Sequence, residues 1–146
     1  MSDPYADFES LKFDRPADWR DGRMSMMRMA AFNVGPEDTQ AEVTVITAGG
    51  DLRGNVARWI GQVRDGTPPD DVVDKAMETA EELTVSGIKA KRYVLLPEDG
   101  STGNAIDATI VPQDSGMSLF IKMTGPVETV KTQHDALTAF IESITL

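Results

Sequence analysis

The chain has 146 residues, of which 14 are basic and 24 acidic, so its formal charge at neutral pH is −10. A chain of this length forms one domain and buries roughly 68–70% of the surface that it exposes when unfolded. The negative charge argues against nucleic acid, because a phosphate backbone is repelled unless basic side chains gather on one face. The tightest basic group is Lys89, Lys91 and Arg92, which a strand would divide between two faces. We therefore expect no nucleic-acid partner.

Cysteine is absent, which excludes disulfides, thiolate nucleophiles and cysteine-ligated zinc. No apolar run approaches the roughly 18 residues of a membrane-spanning helix, and residues 1–23 are too polar and acidic for a signal peptide. We therefore expect no membrane insertion of this chain. The residues leave localisation open, and a leader removed from a precursor would make the compartment periplasmic or otherwise extracytoplasmic.

The first part of the chain predicts a tail and two strands. Residues 1–10 lack periodicity and are expected to form an N-terminal tail, with a single domain over 11–146. Residues 11–16 alternate and then meet proline, which predicts a short edge strand before Trp19, a residue expected to cover one end of the core. Residues 24–34 predict a long strand that is bulged or buried on both faces.

A strand followed by a glycine turn and a helix is the most informative pattern in the sequence. Residues 41–47 alternate as a strand antiparallel to the preceding one. After the glycines, a helix opening at Asn55 carries an apolar face with the helical spacing i, i+3, i+4, i+7, made of Val56, Trp59, Ile60 and Val63. We expect that face to pack on a sheet.

The second half predicts more strands and two further helices. A short helix is expected over 70–79, and a final helix opens at Pro126 with an apolar stripe. Strands separated by turn-forming residues are expected over the ranges 83–85, 88–96, 105–112 and 117–124. The fold class is therefore α+β, with an antiparallel sheet of about six to seven strands and helices packed on both faces.

The order of these elements resembles the PsbP-like superfamily, and the likeness spans 11–146. It rests on Phe13-x-x-Pro16-x-x-Trp19, a long strand carrying Arg28, the segment Ala41–Val45, a glycine turn, Asn55 with Arg58-Trp59-Ile60-Gly61-Gln62, and a closing helix after Gly125. The superfamily includes the PsbP subunit of photosystem II, a Ran-binding factor and uncharacterised bacterial proteins. The likeness is strongest to these bacterial proteins, which are often predicted to be exported or lipid-anchored.

The resemblance implies an α/β/α sandwich and a non-enzymatic role, because known members of the superfamily are non-catalytic and bind unrelated partners. We accordingly expect a binding or protein-interaction domain with an unidentified protein partner and no cofactor. Fold alone does not determine function.

The alternative function is a small-anion or enzymatic site at the junction of strand and helix. Gly49, Gly50, Arg53, Asn55 and Arg58 would form it, with helix N-terminal amides and arginines holding a phosphate or carboxylate. The spacing matches neither a Walker A motif nor a dinucleotide-binding fingerprint. The competing interpretation is that the glycines serve turn geometry and that Asn55 caps the helix.

No catalytic or metal-binding set is predicted. His134, the only histidine, lies on the apolar stripe of the last helix, so we expect it to be partly buried and structural. The carboxylates Asp70, Asp74, Glu78 and Glu82 recur at four-residue steps, which is typical of a solvated helix face more often than of a cation site.

Four methionines crowd one segment, at positions 24, 26, 27 and 29. We expect them to fill the core. The alternative is an adaptable apolar surface for a partner, which exposure of Met24 and Met26 with burial of Met27 and Met29 would favour.

Overall fold

The computed structural model describes residues 11–100, 102–113 and 116–146. The predicted tail over 1–10 lies outside these ranges. Within them the chain forms seven strands, four α-helices and a short 3-10 helix at Glu37–Thr39. The strands are β1 (Arg20–Asp21), β2 (Arg28–Val34), β3 (Ala41–Ala48), β4 (Glu81–Val85), β5 (Ile88–Leu95), β6 (Asn104–Pro112) and β7 (Ser118–Pro126). The helices are α1 (Leu52–Arg64), α2 (Asp70–Glu78), α3 (Val127–Thr132) and α4 (His134–Ser143).

All seven strands belong to one open antiparallel sheet in the order β1-β2-β3-β7-β6-β5-β4. The long β6 and β7 pair over their whole lengths at the centre, from Asn104 opposite Pro126 to Pro112 opposite Ser118. Strands that follow each other in the chain pair with each other, except β3 and β4. Instead β3 pairs with β7, which joins the two halves of the chain. The predicted α+β class and antiparallel sheet are confirmed.

Helices cover both faces of the sheet, so that the molecule has two cores. One face packs against α3 and α4, whose Leu137, Phe140 and Ile141 are fully buried together with alternate residues of the central strands. The opposite face packs against α1 and α2 through Val56, Trp59, Ile60 and Val73. In β7, the odd-numbered Leu119, Ile121 and Met123 pack into the first core and Phe120 packs into the second, because helices cover both faces of this strand.

The first helix begins three residues earlier than predicted. Asp51 is its N-cap and accepts a hydrogen bond from the Gly54 amide at 2.9 Å, which places Asn55 inside the helix. The expectation that Asn55 caps the helix was therefore wrong. Aspartate satisfies the free amides at this end with a full negative charge, which the helix dipole also favours.

Two other predicted elements differ from the structure. The edge strand over 11–16 reduces to one bridge between Lys12 and Thr145, because proline limits ladder pairing there. The long strand over 24–34 begins only at Arg28, with an irregular register before Ala30. Trp19 is buried, and its ring lies 5.0 Å from that of Phe140, so it covers the first core as expected.

The final helix is divided at Gln133 into α3 and α4. Its stripe still packs into one core, although Ile144 lies beyond the last helical residue and is extended. None of the helices in the described ranges is both long enough and apolar enough to cross a bilayer.

Candidate functional site

A half-enclosed cavity of about 320 Å³ lies between the sheet and α1, beside the glycine turn singled out in the sequence. Strands β2, β3 and β7 form its floor, α1 forms one wall, and residues 25 and 27 before β2 form another. We refer to it as the α1 pocket. It exists because α1 and α2 pack over the β5, β6 and β7 part of the sheet, which leaves the β2 and β3 part of the same face uncovered.

The floor is set by the register of the central strands. Thr44 of β3 lies opposite Lys122 of β7, and Ile46 lies opposite Phe120, so these four side chains are neighbours on one face. Thr44 and Phe120 are buried, whereas Ile46 and Lys122 are partly exposed. The floor is therefore apolar towards Phe120 and carries one cation at Lys122.

The wall is the second turn of α1, where Asn55 holds Arg58 in place. Asn55 is buried, and its Nδ2 donates to the Asp51 carbonyl at 3.1 Å. Its Oδ1 accepts from an Arg58 Nη at 2.8 Å, so the guanidinium of an otherwise exposed side chain has a defined position at the pocket. The amide thus acts as a positioning group, and Arg58 makes no ion pair with any carboxylate that the structure describes.

A second arginine reaches the pocket from β2 and is neutralised there. Both terminal nitrogens of Arg28 donate to the Glu42 carboxylate, at 3.1 and 3.3 Å, and one also donates to the Arg23 carbonyl at 2.6 Å. Bidentate pairing of this kind fixes both side chains and offsets their charges. The positive charge that remains for a ligand therefore comes from Arg58 and Lys122.

Lys122 is the least compensated charge in the pocket. Its ammonium lies 5.9 Å from the centre of the Trp59 ring, within the range of a cation–π contact, and forms no ion pair or hydrogen bond with any described residue. Burial lowers the pKa of Lys122 below its usual range, and the neighbouring Arg58 and Arg28 lower it further, while Glu42 opposes them. Both the burial and the neighbouring cations disfavour the charged form, and a bound anion would favour it.

The structure brings three of the five sequence-predicted site residues to this pocket. Gly49, Asn55 and Arg58 line it, whereas Gly50 serves the turn with a φ of 105°. Arg53 points to the other side of α1, where it pairs with Asp74. At the helix N-terminus the Asp51 carboxylate accepts the Gly54 amide, so this end of α1 already carries a negative charge.

Sequence reasoning missed Arg28, Thr44 and Lys122 as pocket residues, because they come together only through strand pairing. One signal was present. Lys122 interrupts the otherwise apolar run Leu119–Met123, and a lone cation in a strand covered on both faces needs a polar surrounding.

His134 lies outside the α1 pocket, on the opposite face of the sheet. There Arg92 and Asp107 form a buried bidentate pair at 2.7 and 2.8 Å, with side-chain exposures of 2% and 1%. Arg92 also donates to the Thr138 hydroxyl, and its Nη2 lies 3.1 Å from His134 Nδ1. The same ring nitrogen lies 3.4 Å from Asp107 Oδ2, so His134 packs against a structural ion pair.

The acidic stripe is divided between two elements. Asp70 and Asp74 of α2 pair with Arg53, while Glu82 belongs to β4. Asp70 and Asp74 therefore join α2 to α1 through Arg53, whereas Glu82 is separated from them by the end of α2.

Of the four methionines at positions 24, 26, 27 and 29, only Met29 packs against the core, where its sulfur accepts from the Thr47 hydroxyl at 3.3 Å. Met24, Met26 and Met27 are exposed, so the expectation of core filling was wrong for these three. They belong to the segment between β1 and β2, which the sheet does not cover.

Comparisons with solved structures identify the fold. LpqN from Mycobacterium tuberculosis, described as involved in cell envelope biogenesis, matches with a TM-score of 0.59 and 15% sequence identity over 92% of this chain and 82% of LpqN. A protein from Bacteroides thetaiotaomicron matches with a TM-score of 0.52 and 11% identity over 94% of this chain and 45% of that protein. No family model and no curated protein matches the sequence. At these identities the likeness establishes a shared fold and no shared activity.

Proposed function

We propose that this protein is a non-enzymatic binding domain whose α1 pocket holds the anionic group of a small ligand. The observation that carries the proposal is the convergence of two cations without carboxylate partners, Arg58 and Lys122, on one cavity of a chain with a charge of −10. An acidic protein places uncompensated positive charge in a desolvated position at a cost, and an anionic ligand would offset it. The protein partner expected from the sequence stays a prediction.

The size of the pocket supports a small ligand. A volume of about 320 Å³ lies at the lower end of the range for small-molecule sites, roughly 300–1,000 Å³. The Ser25 and Thr44 hydroxyls also line the pocket, and hydroxyl groups suit hydrogen bonding to a carboxylate or phosphate. A nucleic-acid strand would need a continuous basic track instead.

The chemistry of the lining supports binding without turnover. General acid–base catalysis on an acyl or phosphoryl group most often uses a histidine or carboxylate within hydrogen-bond reach of the bound group. The described residues that line the pocket include neither. Glu42 is engaged by Arg28, and His134 belongs to the other face of the sheet.

The direct test is ligand-dependent stabilisation of the folded protein. Melting is compared in phosphate, sulfate and chloride at matched ionic strength, for the parent, Lys122→Met and Arg58→Gln. An anion bound only by the folded state adds RT ln(1 + [L]/Kd), about 2.7 kcal/mol at a hundredfold excess over Kd. We expect phosphate or sulfate to stabilise the parent specifically and both variants to lose that gain.

Arg53→Gln is the matched control, because Arg53 lies on the same helix and carries the same charge but pairs with Asp74 away from the pocket. It should retain the anion-specific gain. A second control, His134→Gln, should also retain it, since His134 faces the other core. Equal shifts in the parent, Arg58→Gln and Lys122→Met would show a general salt effect and would contradict the proposal.

The fold likeness supports a PsbP-like relationship and an extracytoplasmic place of action as part of the proposal. The order of motifs noted in the sequence and the match to LpqN, a protein described by its role in the cell envelope, both favour it. Fractionation of the source cell with an antibody against the chain would test the compartment, and recovery from the cytosol alone would contradict it.

A further inference from the structure

Four exposed methionines belong to two segments that border the α1 pocket. Of the large apolar side chains that are strongly exposed in the described residues, four are Met24, Met26, Met27 and Met117, and the exposure of Met26 reaches 102%. The other two, Val94 and Leu146, belong to β5 and to the C-terminus. Exposed apolar side chains collected at one site are more informative than the same number scattered over a surface.

The methionines flank the pocket from two directions. Met27 lines it directly from the segment before β2. On the other side, the sulfur of Met117 lies 3.3 Å from the position that a Cβ on Gly49 would occupy, and Gly49 lines the pocket where β3 ends. The apolar floor at Ile46 and Phe120 is thus continued outward by flexible side chains. Methionine adapts to apolar groups of varied shape because it is unbranched and polarizable.

We propose that the ligand of the α1 pocket is an amphiphilic anion, with one acidic head group and an apolar part. This inference rests on the proposed function and names its ligand class. The head group, a carboxylate or phosphate monoester, lies between Arg58 and Lys122. The apolar part lies against Ile46 and Phe120 and passes out along the methionines.

The charges favour a head group with one or two negative charges. Arg28 is offset by Glu42, so among the described residues that line the pocket a highly charged ligand would find two cations without an ion pair, Arg58 and Lys122. A large acidic protein surface would also be repelled on approach by a chain of charge −10, whereas a small amphiphile carries little charge to repel. Neither an inorganic anion nor a sugar phosphate would cover the methionines.

The experiment measures how affinity depends on the length of the apolar part. Acetate, butanoate, hexanoate and octanoate, and the matching alkyl phosphates, are titrated into the ¹⁵N-labelled protein below their micelle concentrations. Each methylene that leaves water should tighten binding roughly two- to fourfold. 1-Octanol tests the need for the head group and should bind far more weakly than octanoate. The two series distinguish a carboxylate from a phosphate head group.

Two variants separate the head group from the apolar part. Lys122→Met should weaken every member of the series. The triple variant Met24→Gln, Met26→Gln, Met27→Gln should leave acetate unchanged and flatten the dependence on chain length, and it should fold because all three side chains are exposed. Leu146→Gln is the control for removing an exposed apolar side chain elsewhere. The Leu146 amide donates a hydrogen bond to the Ser86 hydroxyl, at the opposite edge of the sheet.

The outcomes distinguish the two proposals. A chain-length dependence that the triple variant removes supports the amphiphile. Acetate and octanoate of equal affinity, with both lost in Lys122→Met, would retain an anion site and overturn the amphiphile. Octanol equal to octanoate would overturn both, and so would a failure of every anion to bind.

Discussion

At the scale of single residues, Lys122 stands out because its environment disfavours its charge. It projects from the central strand β7 into the α1 pocket, where Arg58 and Arg28 are its charged neighbours together with Glu42. Native proteins tolerate such unfavourable placements mainly where function requires them. A test of the site can therefore use stability as well as binding.

Replacing Lys122 with methionine should stabilise the protein while removing anion binding. The substitution keeps an unbranched side chain one atom shorter beside Trp59 and removes a poorly compensated charge, so we expect a gain of roughly 0.5–2 kcal/mol at pH 7. Urea unfolding of the parent and the variant measures it. A loss of stability would show that the cation–π contact with Trp59 outweighs the cost of desolvation.

The same pair of proteins should show a pH dependence of known sign. The folded pKa of Lys122 lies below its ordinary value of 10.5, so the unfolded chain binds more protons in the alkaline range between the two. The stability of the parent therefore rises with pH through that window, and the advantage of Lys122→Met should shrink as the pH rises from the lowered folded pKa of Lys122 to its ordinary value.

The difference in stability between the parent and Lys122→Met must be measured, because the titration of Tyr93 changes stability with pH in the opposite direction. Burial raises the pKa of Tyr93, so the folded state retains a proton that the unfolded chain releases, and stability falls above about pH 10 in both proteins. Subtracting one urea-unfolding curve from the other removes this contribution. A difference that stays constant across the range would contradict the assignment to Lys122.

The buried pair of Arg92 and Asp107 should be costly to break. Asp107→Asn leaves the Arg92 guanidinium with a side-chain exposure of 2% and no carboxylate, which costs about 3–5 kcal/mol in comparable pairs. Asp74→Asn, which breaks an exposed pair with Arg53, should cost about 0–1 kcal/mol. Urea unfolding checks both, and similar losses in the two variants would contradict the burial argument.

At the scale of elements, α1 carries its packing residues and its pocket-lining residues on adjacent strips of one helix. Val56, Trp59 and Ile60 pack into the second core, and the Trp59 ring meets that of Phe120 edge-on at 5.7 Å. Asn55 and Arg58 lie one position before Val56 and Trp59, at the edge of the packed face, and therefore reach the pocket. The binding groups are positioned by the same contacts that hold the helix to the sheet.

Trp59→Ala and Phe140→Ala form a matched pair for separating these roles. Both rings are buried, in opposite cores, so each truncation should cost about 3–5 kcal/mol. Only Trp59→Ala should also weaken anion binding of the folded fraction, because Trp59 lines the pocket and lies under Lys122. Titration at a temperature where both variants are folded measures this, and equal weakening would show that the pocket responds to global stability alone.

At the scale of the whole molecule, the sheet separates two faces with different roles. The face covered by α3 and α4 is closed by apolar packing and the buried ion pair, whereas the face covered by α1 and α2 leaves the pocket over β2 and β3. The chain as a whole has an excess of acidic groups, with a net charge of −10. The α1 pocket places two cations, Arg58 and Lys122, at one concave site.

Salt should therefore have opposite effects on folding and on binding. Raising NaCl from about 10 to 150 mM shortens the Debye length from about 30 to 8 Å, which screens the self-repulsion of an acidic chain and should raise the thermal midpoint. The same screening should weaken anion binding at Arg58 and Lys122. Calorimetric melting and titration at each salt concentration check the pair, and a midpoint that falls with salt would contradict the dominance of self-repulsion.

Elements whose patterns are local could be predicted from the sequence. Alternation predicted β3, helical spacing predicted α1 and the final stripe, proline and acidic residues predicted the start of α2, and turn residues marked the later strands and their hairpins. Which of the candidate site residues meet depends on tertiary packing. Arg53 and Arg58 are five residues apart but lie on different sides of α1, whereas Thr44 and Lys122 are neighbours through the pairing of β3 with β7. Such pairing depends on the burial of both sheet faces together, a property of the whole chain that no local pattern contains.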